Sequence, residues 1–189
     1  MKNPIIQVKV TIDGIEPPIW RRLLIGSTTT FNELHHTLQI AFGWENSHLF
    51  QFEVEDYNIG VPNSEDVTET IDSSGVMVSK ILKKVGDEIS YEYDFGDSWY
   101  HTITVEKLLK IEPGVYYPSC LAGERSAPPE NCGGVDGYNA IMKEDGKEYH
   151  QLHSSSIKSF HPEYFNLERV NNQLAHLGNY IKKIEKEEE

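Results

Sequence analysis

The stretch EISYEYDFGDSWYHTITVEKL, residues 88–108, constrains the fold more than any other part of the chain. Apolar and polar residues alternate in two runs that break at Gly96-Asp97-Ser98, the pattern of two strands folded back on each other. A three-residue loop sets Phe95 opposite Trp99, and Ile89, Tyr91 and Tyr93 opposite Val105, Ile103 and His101, so that one face is apolar and aromatic throughout. A two-residue loop would put Glu92 beside Ile103 and spoil both faces, so the three-residue register is expected. His101 then lies on the core side, while Asp94, Glu92, Thr102, Thr104 and Glu106 share the other face.

The rest of the chain adds to this antiparallel frame. Ile6, Val8, Val10 and Ile12 alternate with Gln7, Lys9 and Thr11, which predicts a half-buried strand, and a turn at Pro17-Pro18 leads to a second strand from Ile19. Thr30 and Glu33 form a capping-box pattern ahead of Phe31, Leu34, Leu38 and Phe42, a helix ending near Gly43. SHLFQFEV reads as another strand, Asp56 to Gly75 as a surface excursion, and Val78 to Val85 as a short helix or turn. After Pro113 a structureless run extends to Gly137, followed by a short helix at YNAIMKE that ends at Asp145-Gly146. From Asn166, the spacing of Leu167, Val170, Leu174, Leu177, Ile181 and Ile184 predicts one long amphipathic helix, with 185–189 as a frayed acidic tail. Strands in pairs, with helices between and after them, give an α+β class: a single domain over 1–189 with a mainly antiparallel sheet.

Charge limits the classes of partner. The formal net charge is −13, with 30 acidic against 17 basic residues, a field that disfavours nucleic acid and anionic lipid. Arg21-Arg22 is the tight basic pair of the first half, and a DNA-binding accessory would have to centre on it. The alternating start MKNPIIQVKVTID carries no signal-peptide core, and no stretch approaches the ~20 apolar residues of a membrane span, so a cytoplasmic protein with no membrane partner is expected. Two cysteines in 189 residues do not make a disulfide framework, leaving Cys120 and Cys132 as free thiols or ligands. The narrow seam of the C-terminal helix fits docking on its own sheet, or a homo-oligomer through that helix.

Several residues can carry chemistry. Asp94, Asp97 and His101 offer carboxylate and imidazole donors for a divalent metal, set against a structural reading in which Asp97 serves the turn and His101 the core. Cys120 and Cys132, with His150 and His153 further on, supply zinc-ligand types at an unusual spacing. His48 is a ligand or a packed histidine. Gly133-Gly134 can expose consecutive N–H groups to an anion, although Glu130 and Asp136 stand beside them. Sequence fingerprints for phosphate loops, dinucleotides, HExxH zinc and GxSxG nucleophiles are missing.

The blocks PPIWRRLLI, LHHTLQIAFGWENSHLFQF, YEYDFGDSWYHTITVEK and YPSCLAGERSAPPENCGGVDGY, in this order, resemble the plasmid pRiA4b ORF-3-like family, also labelled insertion-element passenger TnpR proteins. The resemblance covers nearly the whole chain. It implies an α+β single-domain fold with no established activity, and it carries the family's signature onto Trp20, Arg21, His35, Trp44, His48, Asp94, Gly96, Asp97, Trp99, His101, Cys120, Gly123, Pro128, Pro129, Glu130, Cys132, Gly133 and Gly134. Asn131 stands where the family pattern shows Asp, and a neutral amide cannot act as a base. The TnpR label implies a resolvase, for which no serine-recombinase arrangement is present.

Two functional expectations follow. One is a binding or accessory module in which the 117–138 loop and the 94–101 hairpin end meet a protein, peptide or small ligand through Asp94, Asp97, His101, Arg125, Glu130, Asn131, Gly133 and Gly134. The other is a metal-dependent hydrolase or nuclease with His48, Asp94, Asp97, His101 and Glu130 as ligands or bases.

Overall fold

The computed structural model describes residues 4–55, 57–62, 69–143 and 160–187. Its strands are β1 (Ile5–Ile12), β2 (Trp20–Gly26), β3 (Phe50–Val54), β4 (Tyr57–Gly60), β5 (Thr70–Asp72), β6 (Glu88–Tyr93), β7 (Trp99–Leu109) and β8 (Ser119–Glu124). They form one sheet in the order β5-β4-β3-β6-β7-β1-β2-β8, antiparallel except for the β4–β5 pair. The helices are α1 (Phe31–Phe42), α2 (Gly134–Lys143), α3 (Leu167–Leu174) and α4 (Leu177–Glu187). The α+β class with a mainly antiparallel sheet is therefore what the alternating runs indicated.

Helix α1 begins on the expected capping box. The Thr30 hydroxyl accepts from the Glu33 N–H, and the Glu33 carboxylate accepts from the Thr30 N–H at 2.8 Å. Gly43 closes the helix at φ 81, a left-handed conformation that glycine adopts without strain. Phe31, Leu34 and Leu38 are fully buried against the sheet, where Phe31 meets Phe52 edge-on at 4.9 Å and His35 stacks on Phe50 at 3.6 Å. The opposite face is polar. There Gln7 and Arg22 both reach Glu106, and Trp20 lies between Lys9 and Arg22 at 5.3 and 5.0 Å.

Four expectations need correction. The β6–β7 register is shifted by two residues, pairing Ile89, Tyr91 and Tyr93 with Ile103, His101 and Trp99, so the loop is Asp94–Ser98 and Phe95 is 47% exposed. Asp94 and Ser98 both take positive φ, and the Ser98 N–H donates to the Asp94 carbonyl at 2.6 Å, which closes the wider turn. The Asp56–Gly75 excursion contains β4 and β5 at one sheet edge. The run from Glu112 to Gly137 contains β8, which pairs with β2, and α2 starts already at Gly134; the expected end of that helix, Asp145-Gly146, lies outside the described residues. The C-terminal helix is two helices, because i to i−3 bonds from the His176 N–H to Gln173 and the Asn179 N–H to His176 tighten the turn between them.

Of the apolar seam of α3 and α4, Val170, Leu174 and Leu177 are buried in the common core, while Leu167 is exposed. At the β8 edge the Asn171 side chain pairs with the strand as a neighbouring strand would: its Oδ1 accepts from the Cys120 N–H at 2.8 Å, and its amide donates to the Cys120 carbonyl at 2.9 Å. Among the described residues no helix is long and apolar enough to cross a membrane.

Candidate metal site at the hairpin end

Three segments distant in sequence meet beside the β6–β7 turn. The α1–β3 connection brings His48, the first residue after β6 brings Asp94, and the β8–α2 loop brings Glu130; the ligand-type atoms of all three lie within 4.8 Å of one another. His48 Nε2 is 3.5 Å from Asp94 Oδ2 and 3.6 Å from Glu130 Oε2. Donor atoms held about 2.1 Å from one ion at tetrahedral angles sit about 3.4 Å apart, so the observed spacing suits a shared cation. His48 Nε2 is itself buried and has no hydrogen-bond partner.

Each carboxylate is oriented by its second oxygen. Asp94 Oδ1 accepts from the N–H groups of Gly96 and Asp97 at 3.0 and 3.3 Å. Glu130 Oε1 accepts from the Glu45 N–H at 2.9 Å and from the Tyr93 hydroxyl at 3.1 Å. Both carboxylates thus turn one oxygen to protein donors and the other towards His48, the outer-shell pattern that aims metal ligands.

The segment that carries His48 is clamped residue by residue. The Trp44 indole donates to the Pro128 carbonyl at 2.9 Å and its ring stacks on Tyr93 at 5.0 Å. The Asn46 N–H donates to Gln39 Oε1 at 2.9 Å, and the Ser47 N–H to the Tyr93 hydroxyl at 3.1 Å. Asn46 Oδ1 accepts from His35 Nε2, which fixes the tautomer: His35 Nδ1 must accept, and does so from the Tyr91 hydroxyl at 2.8 Å. Burial holds His35 neutral, with its pKa well below the ordinary imidazole value.

The other nominated residues serve this frame from different places. Asp97 Oδ2 accepts from the Gly133 N–H at 3.0 Å, so the donor offered to an external anion is taken by the chain's own carboxylate. Gly134, at φ 66, lets the Asp97 carbonyl approach to 2.5 Å of where a Cβ would stand, joining the hairpin end to the 117–138 loop. Asn131 is exposed at φ 56. Arg125 is turned inward, with its guanidinium on Glu163 at 2.9 Å, the Pro17 carbonyl and the Tyr138 hydroxyl. His101 is fully buried and on the core side, away from Asp94; its Nδ1 donates to the Trp99 carbonyl at 2.9 Å.

Cys120 and Cys132 are both buried, and burial pushes the Cys132 thiol up to about 12. Among the described residues neither joins a group of metal-ligand atoms, and their proposed companions His150 and His153 lie outside those residues. Arg21, the centre of the DNA-binding expectation, is 2% exposed: it lies between Phe42 and Phe165 at 4.9 and 4.3 Å and donates to four backbone carbonyls. Arg22 pairs with Glu106 at 2.6 Å.

Sequence reasoning overlooked Tyr93, which the alternation assigned to the aromatic core. Its ring is there, but its hydroxyl reaches the site. A tyrosine placed directly before a candidate ligand was the available signal.

A family model described as plasmid pRiA4b ORF-3-like protein matches residues 4–173. The uncharacterised protein y4hQ of Sinorhizobium fredii is 33% identical over 159 residues, which is 84% of this chain and 81% of that protein. The crystal structure of MM3350, a protein of unknown function from Methanosarcina mazei, superposes with a TM-score of 0.76 at 32% identity, covering 89% of this chain and 97% of that one.

Proposed function

The chain belongs to the plasmid pRiA4b ORF-3-like family, whose matched relatives have no described activity, and we propose that this member binds a divalent metal ion through His48, Asp94 and Glu130 and uses it for hydrolysis. The observation that carries the reading is the buried, unpartnered His48 Nε2 facing one oxygen each of Asp94 and Glu130, whose other oxygens are held by protein donors. An imidazolium that merely bridged two carboxylates would draw them into hydrogen bonds of about 2.8 Å rather than the longer contacts seen here.

One imidazole and two carboxylates suit zinc, manganese or iron(II). Three protein donors leave coordination positions for water and substrate, as catalytic rather than structural sites do. A divalent ion held by His48, Asp94 and Glu130 would supply Lewis acidity and an activated water for attack on a carbonyl or phosphoryl centre. Leu49 and Phe95, exposed beside His48 and Asp94, would be the first surface a ligand meets there.

The test is isothermal titration of the chelator-stripped protein with zinc and with manganese, alongside His48→Ala. One ion per chain in the wild type and none in the variant is the expected result. A wild type that takes up neither ion refutes the proposal.

A further inference from the structure

We propose that Tyr93 is the positioning residue of this site, a role that rests on the metal-binding reading above: one hydroxyl sets the geometry of ligands contributed by two different loops. The phenol oxygen accepts from the Ser47 N–H at 3.1 Å and donates to Glu130 Oε1 at 3.1 Å. Ser47 immediately precedes His48, and Asp94 immediately follows Tyr93. A single side chain therefore touches or adjoins the carrier of every ligand.

The direction of the hydrogen bonds matters. A backbone N–H can only donate, so the Tyr93 oxygen accepts from Ser47 and its proton is free to go to Glu130. The hydroxyl is therefore the donor to the Glu130 carboxylate. Together with the Glu45 N–H, it gives Glu130 Oε1 two donors and leaves Oε2 as the oxygen that faces His48. Glu130 is thereby set up to bind through one oxygen only. The ring is locked from both sides, stacked on Trp44 at 5.0 Å and meeting the His48 ring edge-on at 5.8 Å, so the hydroxyl cannot swing away.

Removing the hydroxyl alone isolates this role. Tyr93→Phe keeps the ring and its stacking, and leaves Glu130 Oε1 held by the Glu45 N–H alone, so that it can turn towards the ion. Cobalt(II) serves as the probe, titrated into chelator-stripped wild type and variant by calorimetry and by visible absorption, which reports the number of ligand atoms around the ion. Thermal unfolding of both metal-free proteins shows whether packing is retained. The variant is expected to bind cobalt about 10- to 100-fold more weakly, with a spectrum shifted towards higher coordination as Glu130 becomes bidentate. Equal affinity and an identical spectrum in the two proteins overturn the role of Tyr93 while leaving the site intact. A wild type that binds no cobalt overturns the site and this role together.

Discussion

Acidification should destabilise the protein through His101, and the size of the effect can be worked out. Its Nδ1 donates to the carbonyls of Trp99 and Tyr91 at 2.9 and 3.2 Å, so Nε2 is the bare nitrogen, buried without a partner among the rings of Phe42, Trp44 and Tyr91. A proton there would be a charge in an aromatic core, and burial lowers the pKa from 6.5 to about 4. In the unfolded chain the imidazole takes its proton near pH 6.5. Between these values the unfolded state binds the proton and the folded state does not, so the contribution is intact above pH 6.5 and is lost as pH falls towards 4. The loss from pH 7 to pH 5 is about 2 kcal/mol, and the full span amounts to about 3 kcal/mol. His101→Asn retains an N–H donor near the position of Nδ1 but cannot titrate. Urea unfolding of both proteins at pH 7 and pH 5 is the assay. The variant starts less stable, yet the wild type should lose about 2 kcal/mol more than the variant over that interval. Buried His35 and His36 titrate in both proteins and cancel from the comparison. Parallel losses would show that His101 does not stay neutral in the fold and would refute the reasoning.

Two further outcomes are expected. Gly134→Ala would place a methyl group 2.5 Å from the Asp97 carbonyl at a residue with φ 66, and should cost about 2 kcal/mol or more in urea unfolding while weakening metal uptake, since Asp94 belongs to the displaced turn. Metal at 100 times its dissociation constant should stabilise the wild type by about 2.7 kcal/mol, measured as a shift in thermal midpoint that EDTA reverses and His48→Ala lacks.

The sequence made some of this architecture legible and hid the rest for physical reasons. The α1 start was readable because a capping box is local: Thr30 and Glu33 need only each other. The faces of β6 and β7 were readable too, because a shift of two residues leaves a period of two unchanged, and for the same reason the alternation could not distinguish the three-residue turn from the wider one. Only the positive φ of Asp94 and Ser98 decides that, and it depends on contacts across the turn. Strand β8, SCLAGE, has neither alternation nor β-branched residues, and it is a strand because β2 offers it a partner. The break between α3 and α4 leaves the spacing of Leu174 and Leu177 undisturbed, so the seam looked continuous. His48, Asp94 and Glu130 could be nominated by residue type, but so could Asp97, His101 and two cysteines. What separates them is tertiary, namely which donor atoms converge and which are already occupied, and no spacing in the chain encodes that.

The amide of Asn171 on the backbone of Cys120 has a consequence for the order in which the molecule is made. Strand β8 and its partner β2 leave the ribosome with the last edge of the sheet bare, and the side chain that covers it lies 51 residues downstream of the strand residue it holds. Until that later segment emerges, the nascent sheet presents free N–H and carbonyl groups to any neighbouring extended chain. The interval of vulnerability is therefore written into the distance between the strand and its cover, and a truncation before Asn171 would make it permanent.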